Sequence, residues 1–230
     1  MPTTNLQILN WGRLDYSLAW QQQKQLVEKR AAEEISDTLV FVEHPKVITL
    51  GRAAQRGDRP VITDLSIPVL EIERGGLATY HGPGQVVIYP IVKLDRRHAV
   101  PAFRGIHELI RSLEDLIISF LSERGVPAGR VDSKTGVWLE CQRKIASIGI
   151  AVRHWVSYHG LAFNLNTGPE PWKSFNPCGF DCTVMTDLHR ETGESIDFSQ
   201  ASAALERLAL ALYAPPGPPQ SGVDLPQLHP

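Results

Sequence analysis

The chain has 230 residues, with 23 Lys+Arg against 25 Asp+Glu and a formal charge of −2. That balance excludes a strongly basic nucleic-acid binder, and 43% hydrophobic with 21% charged residues excludes global disorder. No apolar run nears the roughly 20 residues of a membrane span, and the length fits one large α/β domain.

Met1 to Trp20 lacks the basic start and continuous apolar stretch of a signal peptide. Leu6–Leu9 alternates as a first strand, and Leu14–Glu34 is predicted helical, its buried stripe made of Leu14, Leu18, Leu26, Val27 and Ile35. Thr38–Val42 reads as a buried strand, His44-Pro45 breaks it, and Val47–Leu50 resumes extended structure. Residues 51–66 are a polar loop and Val69–Glu73 a short strand. The densest turn chemistry follows, from Arg74 to Gln85, before a strand over Val86–Val92. Pro101–Arg124 is a second helix, with Phe103, Ile106, Leu109, Ile110, Leu113, Leu116, Ile117 and Phe120 on its buried face. Strands are expected over Gly136–Glu140, Ile145–Arg153 and Ser157–Leu165, an irregular loop over 166–182 and a helix over Phe198–Tyr213. One domain spans 1–213, and the proline-rich stretch 214–230 reads as a tail outside the fold.

Four segments carry candidate chemistry. In the first, Gly75 and Gly76 allow positive φ and close approach to a ligand. It suits a phosphate cradle, a narrow slot for an extended chain, or only a demanding hairpin. It ends in no Gly-Lys-Ser/Thr triplet, and a strand rather than a helix follows it. In the second, Lys144 opens an apolar strand with no acidic neighbour in sequence; a strand-edge lysine reaching water is the plainer reading. In the third, Pro177 and Gly179 flank Cys178 on an irregular loop, which suits an exposed nucleophile as well as a buried structural thiol. In the fourth, small residues at 160 and 162 leave room for a ligand beside a strand, and His81 and His159 are candidates to donate hydrogen bonds there. Cys141, Cys178 and Cys182 are too few for a disulfide framework, which points to a reducing, cytoplasmic setting. Cys141 and Cys182 read as structural. Cys178 and Cys182 stand C-x3-C with histidines in the chain, but no second compact ligand pair supports a metal site.

Together these segments resemble the lipoyl(octanoyl) transferases. The likeness rests on RGGLATYHGPGQ at 74–85, KIASIG at 144–149, HGLAFN at 159–164 and NPCG at 176–179, with TLGR at 49–52. It runs from about Leu6 to Tyr213. It implies a single domain of the biotin/lipoate protein ligase fold, a mixed α/β sheet packed with helices. It implies transfer of an octanoyl group from acyl carrier protein to a lysine of lipoyl domains. Those domains belong to the 2-oxoacid dehydrogenase complexes and the glycine cleavage H protein. Cys178 would carry the acyl thioester and Lys144 would lower the pKa of its thiol. Arg74, Gly75, Gly76, Leu77, Ala78, Thr79, Tyr80 and His81 would line the acyl site with Ser147, Ile148, Gly149, Gly160, Leu161 and Ala162. A monomer without a metal is expected, and the resemblance further implies no cofactor and no ATP. The rivals are an ATP-dependent lipoate or biotin ligase on the same fold and a non-catalytic acyl-binding module.

Two basic stretches are candidates to steer an acidic carrier protein, Lys46, Arg52, Arg56 and Arg59 in one and Lys93, Arg96, Arg97 and Arg104 in the other. Ordinary solvated charge is the alternative.

Overall fold

The computed structural model describes residues 6–56, 60–174 and 184–213. Its elements are β1 (Gln7–Arg13), α1 (Tyr16–Ala31), β2 (Thr38–Glu43), β3 (Val47–Leu50), α2 (Arg52–Gln55), β4 (Val69–Glu71), β5 (Ala78–His81), β6 (Gln85–Ile91), α3 (Ile106–Ser122), β7 (Gly129–Val131), β8 (Lys134–Leu139), β9 (Arg143–Arg153), β10 (Val156–Asn164), α4 (Leu188–Thr192) and α5 (Phe198–Leu212).

Seven strands form one mixed sheet in the order β1-β2-β6-β10-β9-β8-β7, parallel only between β1 and β2. Alternation along its central strands serves two cores. Leu39, Phe41, Val86, Ile88, Leu161 and Phe163 share one core with the apolar stripes of α3 and α5. Val40, Val42, Val87, Tyr89 and Ala162 share another with Ala19 and Val27 of α1. A second sheet, β4-β3-β5, has its own small core of Ile48, Leu50, Ala78, Tyr80, Trp172 and Met185. This is the mixed α/β arrangement expected from the sequence, in one domain. The tail 214–230 lies outside the described residues.

Several elements depart from expectation. Helix α1 is capped by Asp15, whose carboxylate accepts the Ser17 and Leu18 N–H groups. It buries Tyr16, Ala19, Gln23 and Val27, while Leu18 is half exposed and Ile35 falls beyond its end. The helix buries Val27 of the expected stripe and packs Leu14 and Leu26 partly buried beside it, and its inner face also takes in Tyr16, Ala19 and Gln23. Ile106 of α3 is likewise exposed. Residues 78–81 form a strand rather than part of a loop, because they pair with β3. Strand β7 and helices α2 and α4 are too short to be periodic in sequence. The Arg74–Gln85 segment is not a hairpin, since β5 and β6 belong to different sheets.

Asp37 fastens the start of β2. It accepts hydrogen bonds from Arg30 Nε and His98 Nε2, both at 2.7 Å, and from the Lys93 N–H at 2.8 Å. Burial opposes its ionisation, but these hydrogen bonds outweigh burial and hold its pKa below the ordinary carboxylate value. Its stabilisation is therefore complete above the unfolded-state pKa and is lost as pH falls through the lower folded-state value. Asp37→Asn should destabilise the fold by about 3 kcal/mol at pH 7. Thermal denaturation against pH should show the gap between variant and wild type closing below about pH 4.

Candidate active site

A small cavity lies between the large sheet and the β3-β5 layer. Its sheet wall has two rows set by strand register. Ser147, Ala162 and Val87 are paired across β9, β10 and β6. Gly149, Gly160 and Tyr89 line the cavity beside them. Thr79 and His81 of β5, Tyr16 of α1, His159 of β10 and the loop Arg74–Gly76 complete it. Lys144 stands at the start of β9 on the same wall.

Lys144 reaches this wall through a β-bulge. Val137 of β8 pairs with Ala146, but the next residue, Trp138, pairs with Lys144. Ile145 is the extra residue, and it joins Ala146 in the core under α3 and α5. Without it, alternation would send Lys144 to that core, and with it Lys144 faces the cavity with Ser147. The side chain is only 5% exposed, and its Nζ lies 5.2 Å from the centre of the Trp138 ring. Lys144 is therefore not the strand-edge lysine snorkelling into water that its local sequence suggests. Its carbonyl accepts the Thr186 N–H at 3.0 Å, and Met185 bridges to the same residue. The chain that follows residue 183 thus enters the fold beside Lys144. Cys178 and Cys182 lie outside the described residues.

Of the eight residues expected from Arg74 to His81, five line the cavity. Leu77, Ala78 and Tyr80 instead join the small core with Trp172. Alternation along β5 requires this of Ala78 and Tyr80, since Thr79 and His81 point the other way, while Leu77 precedes the strand. Arg74 is 6% exposed, and its guanidinium donates to Thr49 O at 2.7 Å, Thr49 Oγ1 at 3.0 Å and Gly75 O at 2.9 Å. It fastens its loop to β3. Gly149 lets that loop lie on β9, since a Cβ there would stand 2.8 Å from Gly75 O. Gly160 faces the Ile88 carbonyl of β6 so closely that no Cβ fits. Its smallness serves strand contact rather than space for a ligand. Ile148 and Leu161 border the cavity while packing against the opposite core.

The cavity is ringed by buried aromatic and imidazole groups. The Tyr16 and His81 rings are stacked at 5.3 Å, and His44 sits 4.9 Å from Tyr16. His44 donates from Nδ1 to Leu14 O and accepts the Tyr89 hydroxyl at Nε2, both at 2.7 Å. Burial lowers its pKa to about 4 and pushes the Tyr16 and Tyr89 phenols well above their ordinary value. His159 has φ +54°, its N–H donates to Gln23 Oε1 at 2.8 Å, and its Nε2 lies 3.6 Å from Glu73 Oε2. This contact explains why α1 buries Gln23. Three buried polar atoms around the cavity have no hydrogen-bond partner among the described residues: Thr79 Oγ1, His81 Nε2 and Ser147 Oγ. A buried polar atom left so is worth about 1–3 kcal/mol of lost hydrogen bonding. Their convergence marks the cavity as a ligand site.

Sequence reasoning missed Tyr16, Val87 and Tyr89, which carry no motif signal. It also missed Gly136, at φ +122°, where a Cβ would meet the Ala146 carbonyl oxygen and stand 2.7 Å from Lys144 Cε. The Gly136 N–H donates to Glu114 Oε1 at 3.0 Å. Cys141, expected to be structural, is exposed at the turn between β8 and β9, where φ is +59°. Among the described residues no group of three or more His, Cys, Asp or Glu is placed to hold a metal ion.

Residues 15–208 match the family model for the lipoyl protein ligase A/B catalytic domain. The chain belongs to that family. A protein of Bdellovibrio bacteriovorus named octanoyltransferase is 38% identical over 213 residues, covering 87% of this chain and 95% of its own. The octanoyltransferase of Geobacter sulfurreducens is 40% identical over 200 residues, covering 87% and 81%. Among solved structures, lipoate-protein ligase A bound with ATP superposes with a TM-score of 0.64 at 17% identity, over 90% of this chain and 84% of that one. At that identity the likeness is one of fold. No helix among the described residues is long and apolar enough to cross a membrane.

Gly136→Ala should displace Lys144 from the wall. Octanoyl transfer should fall by at least about tenfold, with a stability loss of about 1–3 kcal/mol from the left-handed backbone and the carbonyl contact. Activity and thermal melts on the same samples check this. Unchanged activity would mean that Lys144 does not depend on this glycine.

Proposed function

We infer that this acyltransferase moves its octanoyl group in two steps through Cys178, with Lys144 as the acid–base partner. Acyl carrier protein delivers octanoate as a thioester on its phosphopantetheine arm. The Cys178 thiolate attacks the acyl carbon, the C–S bond to the arm breaks, and the arm leaves as a thiol. One thioester replaces another, so the exchange is nearly neutral in free energy and takes place without ATP. A lysine of a lipoyl domain then attacks the new thioester and leaves with the octanoyl group as an amide. The acceptors are the lipoyl domains of 2-oxoacid dehydrogenase complexes and the glycine cleavage H protein. A reducing cytoplasm keeps Cys178 available as a thiol.

The observation that carries this reading is the buried placement of Lys144 on the cavity wall, re-aimed there by the bulge at Ile145. A free thiol ionises near pH 8.5, so only a few per cent is thiolate at neutral pH. An ammonium in contact favours the anion, and each pKa unit gained is about 1.4 kcal/mol. In the second step the amine must shed a proton, and the same side chain accepts it once neutral. The two groups titrate as one coupled pair. The apolar side chains of the wall, Val87 and Ala162, suit an alkyl chain.

Intact mass after mixing with octanoyl carrier protein in the absence of ATP tests this. Wild type should gain one octanoyl group, Cys178→Ala none, and Lys144→Ala should acylate at least about 100-fold more slowly. Acylation that required ATP and free octanoate would place the chain with the ligases instead.

The carrier protein docks over the Arg52 side. Arg52 and Arg56 are exposed, and the Arg52 N–H donates to Arg74 O beside the cavity loop. Lys93, Arg96, Arg97 and Arg104 line a groove with Trp155 at the far end of β9. That groove is about 30 Å from Lys144 along the strand. Charge reversal at Arg52 and Arg56 should raise the apparent KM for carrier protein about tenfold at low salt and flatten its salt dependence. The same change at Arg96 and Arg97 should leave both unaltered. Steady-state kinetics across a salt series decides between the two faces.

A further inference from the structure

His81 ends β5 with its ring on the cavity, and a chain of oriented amides fixes which of its nitrogens carries the proton. Asn164 Nδ2 donates to Thr186 O at 2.9 Å, so Asn164 Oδ1 is an acceptor. Gln85 Nε2 donates to that oxygen at 2.9 Å and to Tyr80 O at 3.2 Å. Gln85 Oε1 is thereby left facing His81 Nδ1 at 2.8 Å as an acceptor. Two backbone carbonyls, which can only accept, thus dictate both amide orientations, and Nδ1 must be the protonated nitrogen. Nε2 keeps its lone pair, is buried, and has no hydrogen-bond partner among the described residues. The sequence suggested that His81 donates to a ligand; its one donor hydrogen is already engaged by Gln85.

We propose that His81 Nε2 is the hydrogen-bond acceptor that seats the attacking amine of the acceptor lysine in the second transfer. The proposal rests on the two-step reading above. The octanoyl chain offers no donor, and the thioester carbonyl only accepts. A thiol is a weak donor, and the thiolate drawn out by Lys144 has no hydrogen at all. The neutral amine brings two N–H groups. One hydrogen is lost as nitrogen bonds to the acyl carbon, and the other stays on the product amide. His81 holds the hydrogen that stays. The C–N bond forms, the C–S bond breaks with its electron pair going to the Cys178 sulfur, and the proton shed by nitrogen passes through Lys144 to that sulfur. His81 gains no proton in the cycle. Burial, followed by the nearby His44 and Arg74, keeps its ring neutral, as an acceptor requires. The same hydrogen-bond chain runs on through Thr186 to the carbonyl of Lys144, so one network orients the seat for the amine and anchors the backbone of the proton acceptor.

The test separates the two half-reactions. Acyl-enzyme is formed with octanoyl carrier protein, and transfer to excess lipoyl domain is followed by intact mass in a single turnover. His81→Phe, which keeps a ring but removes the lone pair, should slow transfer at saturating lipoyl domain about 30-fold, while acyl-enzyme formation stays within about threefold of wild type. His81→Gln, which can again offer an acceptor oxygen, should recover transfer to within about fivefold. Unimpaired transfer in His81→Phe overturns the proposal. So does an equal loss in both half-reactions, or a loss in acylation alone, which would assign His81 to an amide of the carrier arm. Imidazole nitrogen-15 shifts of the wild-type enzyme supply a readout that needs no variant. Nδ1 of His81 should be protonated and Nε2 bare, and the reverse overturns the proposal. Failure of the wild-type chain to form any acyl-enzyme would instead sink the two-step reading.

Discussion

One extra residue in β9 decides which side of the sheet Lys144 occupies. A strand offers its side chains to two faces in strict turn, and here one face is the core under α3 and α5 and the other is the cavity. Ile145 and Ala146 both point into the core, which regular alternation forbids, and the pairing with β8 absorbs the difference as a bulge. The apolar side chain at 145 and the cation at 144 are thus each satisfied. Gly136 on the neighbouring strand completes the arrangement, because the stem of Lys144 lies where its Cβ would be. Trp138, one register step away, supplies an aromatic face near the ammonium.

The cavity is made by keeping two sheets from closing on each other. Arg74 does part of this from below: its guanidinium reaches Thr49 on β3 and the Gly75 carbonyl, so a buried cation holds the loop. Gly51 faces the Gly76 carbonyl, and Gly149 lies under Gly75, so the loop descends between β3 and β9 at distances that side chains would prevent. On the far side, Tyr16, His44 and Tyr89 present bulky rings that are neutral by burial. The Tyr89 hydroxyl and the His44 ring nitrogens are tied to one another or to backbone, and the Tyr16 hydroxyl lies 3.5 Å from His159 Nδ1. A wall of neutral, hydrogen-bonded rings is compatible with an alkyl chain, whereas a charged wall of the same shape would demand water.

Much of this was legible in the sequence, and what was not has a common cause. The strands over 38–42, 86–92, 145–153 and 157–165 follow from β-branched and apolar runs, because each is largely withdrawn from solvent. The Arg74–Gln85, Lys144–Gly149 and His159–Asn164 segments do converge on one cavity. Sequence cannot supply register. The bulge exists only relative to β8, so its effect on Lys144 has no local signature. The leucines of α1 suggest one buried stripe, and Leu14, Leu26 and Val27 do pack inward, but Gln23 is buried beside them as the acceptor for the N–H of His159, far away in sequence. Ala78 and Tyr80 sit inside a contiguous motif, but alternation on a strand too short to be recognised divides it between cavity and core. The NPCG segment lies outside the described residues.

Gln85 and Asn164 show how a motif can contain a residue without revealing its task. Both stand at the ends of segments chosen for their glycines and histidines, and neither has chemistry of its own in acyl transfer. They are paired across β6 and β10, so their amides meet as neighbours in the ladder. An amide offers both a donor and an acceptor, and two in series transmit orientation from one fixed carbonyl to the next group. Leucines would fill the same volume and leave His81 free to exchange tautomers. Aspartate or glutamate would accept from Nδ1 as well, but would add a buried charge that stabilises imidazolium and removes the lone pair. The neutral amide therefore keeps the imidazole in one tautomer without charging it, and burial from every side preserves that state.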